Sequence, residues 1–145
     1  MNSKQKKPDR KYDSLADLLQ EMGLRPTKQR IGLAKWLFSG QNKHITAEQA
    51  YSAAIRMRMR VSLATIYNTL NKFTQAGLLQ QTFIDGSRIY FDTNKTPHHH
   101  FYDEETQLLS DVASSVVCFS RLPKLPKGKS LSRIDVVLCV RNIRR

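Results

Sequence analysis

The sequence predicts an α+β fold: an N-terminal winged helix-turn-helix followed by a small C-terminal α/β domain. Three observations carry this prediction. Residues 13–75 hold four segments at helical period, each opened by a residue that can cap a helix. Two strand-like runs follow, residues 78–84 and 87–91, joined by Asp85-Gly86, a strong hairpin signal. The remaining stretch, from residue 94 on, reads as one more hairpin and one more strand, too little to bury much surface alone.

The helices are justified in order. Asp13-Ser14 opens the first; Leu15, Leu18, Leu19 and Met22 fall at helical spacing and Gly23 stops it. Pro26-Thr27 opens the second, with Thr27 as cap. Ile31, Ala34, Leu37 and Phe38 form its apolar face, with Leu33 and Trp36 on the flanks, and Ser39-Gly40 ends it. Thr46 caps the third, and Gln49 completes a capping-box pattern. Its stripe is Ala47, Ala50, Tyr51, Ala54 and Ile55. It ends in Arg56-Met57-Arg58-Met59-Arg60, cations that suit the negative end of a helix and equally a nearby phosphate. Ser62 caps the fourth, residues 63–75, which buries Ile66, Leu70 and Phe73, with Leu63 one turn earlier. Ala76-Gly77 closes it.

The C-terminal part is less regular. Phe101-Tyr102 and Leu108-Leu109 read as a hairpin around the acidic turn at residues 103–106. Residues 112–122 lean towards a short helix. Residues 122–128 carry two prolines and are expected to be irregular. Residues 134–140 are β-branched and mostly apolar, which predicts a buried strand. Cys118 and Cys139 read as buried, apolar-like residues rather than ligands. The domain boundaries expected are a basic flexible arm at 1–12, a winged-helix DNA-binding domain at 13–93 and a dimerisation and ligand-sensing domain at 94–145.

Charge narrows the function. The 145 residues carry 24 Lys+Arg against 12 Asp+Glu, a net of +12, which points to a polyanionic partner. The excess is divided: 15 basic and 7 acidic residues before residue 93, one against four in residues 93–120, and eight against one thereafter. No apolar run is long enough to span a membrane. The basic, polar N-terminus is unlike a secretory signal, so a cytoplasmic protein with no membrane partner is expected. Two cysteines cannot build a disulfide scaffold or a Cys-rich zinc module.

In a winged helix-turn-helix the last helix before the hairpin enters the major groove of double-stranded DNA. Its more exposed positions here are Ser62, Thr65, Tyr67, Asn68, Asn71 and Lys72, mostly hydrogen-bonding types suited to base edges and methyl groups. Lys72 and, on the wing, Arg88 can hold the backbone. Three of the four histidines are consecutive, His98, His99 and His100. In an extended segment His98 and His100 share a side and can present two imidazoles to one ion, with His99 facing away.

These residues carry a resemblance. Leu24-Arg25-Pro26-Thr27-Lys28-Gln29-Arg30, His44-Ile45-Thr46-Ala47-Glu48, Ser62-Leu63-Ala64-Thr65-Ile66-Tyr67-Asn68-Thr69-Leu70, Gly77-Leu78-Leu79 and the triple histidine resemble the ferric uptake regulator family. The resemblance implies a homodimeric, metal-linked transcription factor acting on a palindromic DNA operator. It implies Arg25 near the minor groove and Tyr67 at a thymine methyl. It also implies a metal site of His44, Asp92 and His100 between the two domains. Tyr102 stands where the family has another His ligand, and His98 is its substitute. The chain departs from the family in having Asn68 where Arg is frequent, and in lacking paired CxxC motifs. These departures, the triple histidine and the Ile134-Asp135-Val136-Val137 run resemble the iron response regulator branch, which implies haem binding at His98, His99 and His100.

The function expected is therefore a sequence-specific DNA-binding transcriptional regulator, a repressor, that responds to iron or haem. Its cofactor is haem or a divalent metal (Fe, Mn or Zn), and it is not an enzyme. Two rivals are a non-specific basic nucleic-acid-binding protein and a metal-dependent hydrolase. The hydrolase would draw a carboxylate base from Asp103-Glu104-Glu105, but these lie on a solvated hairpin tip.

Overall fold

A computed structural model of the chain describes residues 14–144; the basic arm expected at residues 1–12 lies outside them. The described residues divide into two compact units, 14–95 and 96–144.

The first unit runs α1 (Leu15–Glu21), α2 (Lys28–Leu37), β1 (His44–Ile45), α3 (Ala47–Arg56), α4 (Leu63–Gln75), β2 (Gln80–Phe83) and β3 (Ile89–Asp92). Every helix starts where a short polar side chain can accept from the first turn. Ser14, Thr27, Thr46 and Ser62 each take the N–H three residues on. At α3 the box closes reciprocally: Gln49 N–H reaches the Thr46 hydroxyl at 3.2 Å, and Thr46 N–H reaches Gln49 Oε1 at 3.0 Å. Three helices end alike. After α1, α3 and α4 the next two N–H groups turn back onto the last-turn carbonyls, and the pivot residue is left-handed. The pivot is glycine after α1 and α4 (Gly23, Gly77) but Arg58, at φ 58°, after α3.

The strands form a small antiparallel sheet in the order β1-β3-β2. The β2–β3 hairpin pairs Phe83 with Ile89, so its loop is wider than the Asp85-Gly86 turn expected. Two residues, His44 and Ile45, pair with Asp92 and Phe91, and this short β1 was not expected from sequence. Leu19, Leu33, Leu37, Leu70, Phe73 and Phe91 centre the core. Burying each contributes on the order of 1.5–3 kcal/mol.

Three expected faces are rotated. In α2, Leu33 is at the centre of the buried face while Phe38 is 37% exposed, because the helix ends at Leu37 and Phe38 is its C-cap. In α3 the buried face is alanine at 47, 50, 53 and 54, which admits close approach of α4 and β3 and leaves Ile55 exposed. In α4, Thr69 is buried and Leu63 exposed.

The second unit holds β4 (His98–Asp103), β5 (Leu109–Ala113), one 3-10 turn (Ser114–Val116) and β6 (Val137–Val140). Its sheet order is β5-β4-β6, with β4 antiparallel to β5 and parallel to β6. The β4–β5 turn is held by Asp103, whose carboxylate accepts the N–H groups of Glu105 at 2.9 Å and Thr106 at 3.1 Å. Those bonds hold the Asp103 carboxyl below its ordinary pKa. The helix expected within residues 112–122 is replaced by the end of β5 and the 3-10 turn. Val112 pairs with His99, and that pairing overrides a helix. The strand expected over residues 134–140 is shorter and is not buried: Leu138, Cys139 and Val140 are exposed. Cys118 is exposed too, correcting the expectation that both cysteines are buried. The described part of this unit has no α-helix to cover its three-stranded sheet.

Candidate metal centre and nucleic-acid interface

The triple histidine lies in β4, where alternation separates its members. His98 and His100 share one face, with ring centroids 4.6 Å apart and Nε2 atoms 3.0 Å apart. Asp111 on β5 pairs in register with His100 and brings Oδ1 within 3.3 Å of His98 Nε2 and 3.7 Å of His100 Nε2. Both imidazoles are almost fully buried, whereas the Asp111 side chain is 33% exposed. The Thr96 carbonyl faces His98 Nδ1. A carbonyl only accepts, so Nδ1 carries the proton and Nε2 is the lone-pair nitrogen of the neutral ring.

This trio fits a small cation. Two nitrogens on metal bonds of about 2.0–2.1 Å, at angles between octahedral and tetrahedral, stand about 2.8–3.4 Å apart. His99 is not brought into the cluster. It points to the other face, beside the Phe119 ring, and its Nδ1 accepts the Val136 N–H at 3.1 Å. A neutral ring bonded in this way carries its proton on Nε2 and offers a metal no lone pair. The three histidines expected at haem thus split two against one.

In the first unit His44 and Asp92 are cross-strand partners on β1 and β3. His44 Nε2 lies 3.3 Å from Asp92 Oδ2, and Asp92 Oδ1 accepts the Asn94 N–H at 2.8 Å. Asp92 is fully buried, a costly place for a carboxylate unless partners or a cation compensate.

On α4 the six expected contact positions differ in role. Ser62, Thr65, Asn68 and Lys72 are exposed. Tyr67 is half-buried, its ring edge-on to Phe91 at 6.1 Å. Asn71 is half-buried and accepts from the Gln81 side chain at 3.0 Å, which ties the wing to the helix. Arg25 is exposed, and its carbonyl accepts from Arg30 at 2.9 Å. Arg88 is half-buried on the wing and donates its backbone N–H to the Asp85 carbonyl at 2.9 Å.

The sequence pattern of the ferric uptake regulator family matches residues 21–118. The chain belongs to the ferric uptake regulator family. It is 32% identical over 97 residues to a ferric uptake regulation protein of Pseudomonas fluorescens, covering 66% of this chain and 79% of that one. To the protein of that description in Cupriavidus metallidurans it is 31% identical over 81 residues, 56% of this chain and 57% of that protein, little more than half its length. Among solved structures it is similar to the ferric uptake regulator from Pseudomonas aeruginosa with manganese, at 26% identity and a TM-score of 0.65, covering 88% of this chain and 96% of that one.

For this ferric uptake regulator family member, sequence reasoning missed one ligand candidate, Asp111. A signal was present. Counting outward from the acidic turn in an antiparallel hairpin places residue 111 opposite His100. The acidic ligand expected was Asp92, and residues 103–105 were weighed only as a hydrolase base; there Asp103 spends its carboxylate on the turn. Among the described residues, no helix is long and apolar enough to cross a membrane.

Proposed function

We propose that this chain is a metal-responsive, sequence-specific DNA-binding transcriptional regulator, a repressor acting as a homodimer. The observation that carries the proposal is the convergence of His98 Nε2, His100 Nε2 and Asp111 Oδ1 in a chain whose other unit is a basic winged helix. A divalent ion of Fe, Mn or Zn type is the favoured ligand, since mixed imidazole and carboxylate donors suit these ions. The ion would supply positive charge and fixed coordination angles. The residues that would hold it are His98, His100 and Asp111. His44 and Asp92 form a second donor pair, within the first unit.

Arg25, Ser62, Thr65, Tyr67, Asn68, Asn71, Lys72 and Arg88 form the DNA-facing set. Thr65, Asn68 and Lys72 are exposed and suit direct contact, whereas Tyr67 and Asn71 are half-used in packing. A two-fold dimer would set two α4 helices on successive half-sites. Exposed Leu138 and Val140 on β6 support pairing with a second copy, since an uncovered apolar strand edge favours association.

The experiment is selection of bound fragments from genomic DNA, followed by operator binding with Fe(II), Mn(II), Zn(II) or haem. Enrichment of one palindrome, with affinity changed at least about tenfold by a divalent ion, supports the proposal. Uniform recovery of fragments would favour a non-specific nucleic-acid binder. A response to haem alone, retained in His98→Ala/His100→Ala, would place the sensor elsewhere.

A further inference from the structure

A cleft of about 410 Å³ opens in the first unit between the start of α2 and the outward face of α4. Arg30, Arg60 and Lys72 line it together with the hydroxyls of Thr27 and Thr65 and the amide of Asn68. None of the residues lining it is acidic. Three cations with neutral donors between them, and no carboxylate to offset them, make a local positive potential.

The local structure fixes this arrangement. Thr27 and Ser62 cap α2 and α4, so the first turns of both helices are set by short-range bonds. Arg30 donates to the Arg25 carbonyl at 2.9 Å, which anchors one end of its guanidinium. That bond takes up one of the five N–H donors of an arginine. Arg60 follows Met59, whose thioether packs 3.4 Å from where a Cβ on Gly32 would stand. Met59 thus places the α3–α4 connection beside α2. Thr69 donates its hydroxyl to the Thr65 carbonyl at 2.8 Å, so it serves the helix itself.

The geometry points to this cleft as the seat of one backbone phosphodiester of double-stranded DNA, held by Arg30, Arg60 and Lys72. The inference rests on the DNA-binding reading above and extends it to Arg30, which sequence reasoning did not select, and to Arg60, which it placed only in a run of arginines suited to a nearby phosphate. Arg60, Lys72, Thr65 and Asn68 are all exposed, which suits a strand passing through the cleft rather than a small enclosed anion. A phosphate seated here would lie beside Thr65 and Asn68 and fix the register of α4 over the bases. The Arg30 bond to Arg25 would also set the loop that carries Arg25.

The test uses the full chain with a random-sequence duplex and a selected operator, titrated across a salt series. Neutralising one phosphate contributes about 0.9 to the slope of log Kobs against log salt. Arg60→Gln and Lys72→Gln are each expected to reduce that slope by part of that 0.9, and the double variant by no more than about 0.9, on both duplexes, with both duplexes weakened by the same factor. Lys35→Gln removes an exposed cation of α2 outside the cleft and is expected to leave the slope unchanged. Wild-type binding with unchanged slopes in both cleft variants would overturn the cleft while leaving DNA binding intact. Failure of the wild type to bind either duplex would overturn the DNA-binding reading and the inference with it. Inorganic phosphate is the second probe, at constant ionic strength. If it raises the melting temperature of the wild type but not of Arg60→Gln, and the DNA slopes do not change, the cleft holds free phosphate and the DNA assignment is overturned.

Discussion

Arg58 occupies a place that two other helices of the same unit give to glycine. After α3, Arg58 N–H returns to the Ile55 carbonyl at 2.9 Å and Met59 N–H to the Ala54 carbonyl at 3.0 Å. Gly23 after α1 and Gly77 after α4 make the corresponding pair of bonds, at 2.8–3.0 Å. All three pivots are left-handed, at φ 76°, 58° and 80° for Gly23, Arg58 and Gly77. For a residue with a Cβ this conformation costs about 1–2 kcal/mol. Glycine removes that cost but loses about 0.4–1 kcal/mol through the freedom it adds to the unfolded chain. It also forfeits about 0.3 kcal/mol of cation–dipole attraction at an exposed helix end. The balance favours Arg58→Gly by about 0.5 kcal/mol, a rise in Tm of about 2–4 °C for a unit of this size. Thermal unfolding followed by circular dichroism at fixed salt measures it. A fall in Tm would refute the reasoning, since it would show that the Arg58 side chain contributes more than its backbone costs. The same variant loses a cation beside the α3–α4 turn. Its DNA affinity is expected to fall as stability rises, which would explain why arginine stands there.

Three further predictions follow from particular contacts. Tyr67→Ala is expected to cost about 1–3 kcal/mol of operator affinity with random DNA nearly unchanged, and to lower Tm through the lost Phe91 contact. Tyr67→Phe should keep the packing and most of the affinity; competition binding with matched melting curves separates the two effects. Gly32→Ala is expected to stabilise by about 0.5–1 kcal/mol in chemical denaturation, because a helix-interior glycine is replaced and the new Cβ meets only the flexible Met59 end at 3.4 Å. The Asp103 carboxyl is held below its ordinary value by the turn N–H groups, so its stabilisation is present above the usual carboxylate range and is lost as pH falls through the lowered value. Asp103→Ala should therefore be less stable than wild type near neutral pH and converge with it in acid, as measured by Tm across a pH series.

Much of the first unit was legible because its signals are local. Ser14, Thr27, Thr46 and Ser62 satisfy N–H groups three residues away, so a helix start can be read within four residues. The bounds of α4 and the side shared by His98 and His100 follow from capping and from the two-residue period of a strand. What depends on distant partners was not legible. Whether Phe38 or Leu33 faces the core depends on where α2 stops, and the burial of Ala53 rather than Ile55 depends on how closely α4 approaches α3.

The sequence by itself determined the order of the four helices and the two hairpins, the charge division and the pairing of two histidines on one face, because each is set within a few residues of chain. Tertiary structure decided the rest. Strand register alone placed Asp111 opposite His100 and Asp92 opposite His44, across 11 and 48 residues of chain. Folding of the β4–β5 sheet took residue 112 from an expected helix, and the absence of a helical layer in the described second unit left Cys139 and its neighbours exposed. Packing of the first unit gathered Arg30 of α2, Arg60 ahead of α4 and Lys72 of α4 around one cleft. Apart from Asp111, which counting from its hairpin turn could have placed, the deciding contacts join residues whose separation carries no periodic or capping signal, so only the packed chain could make them.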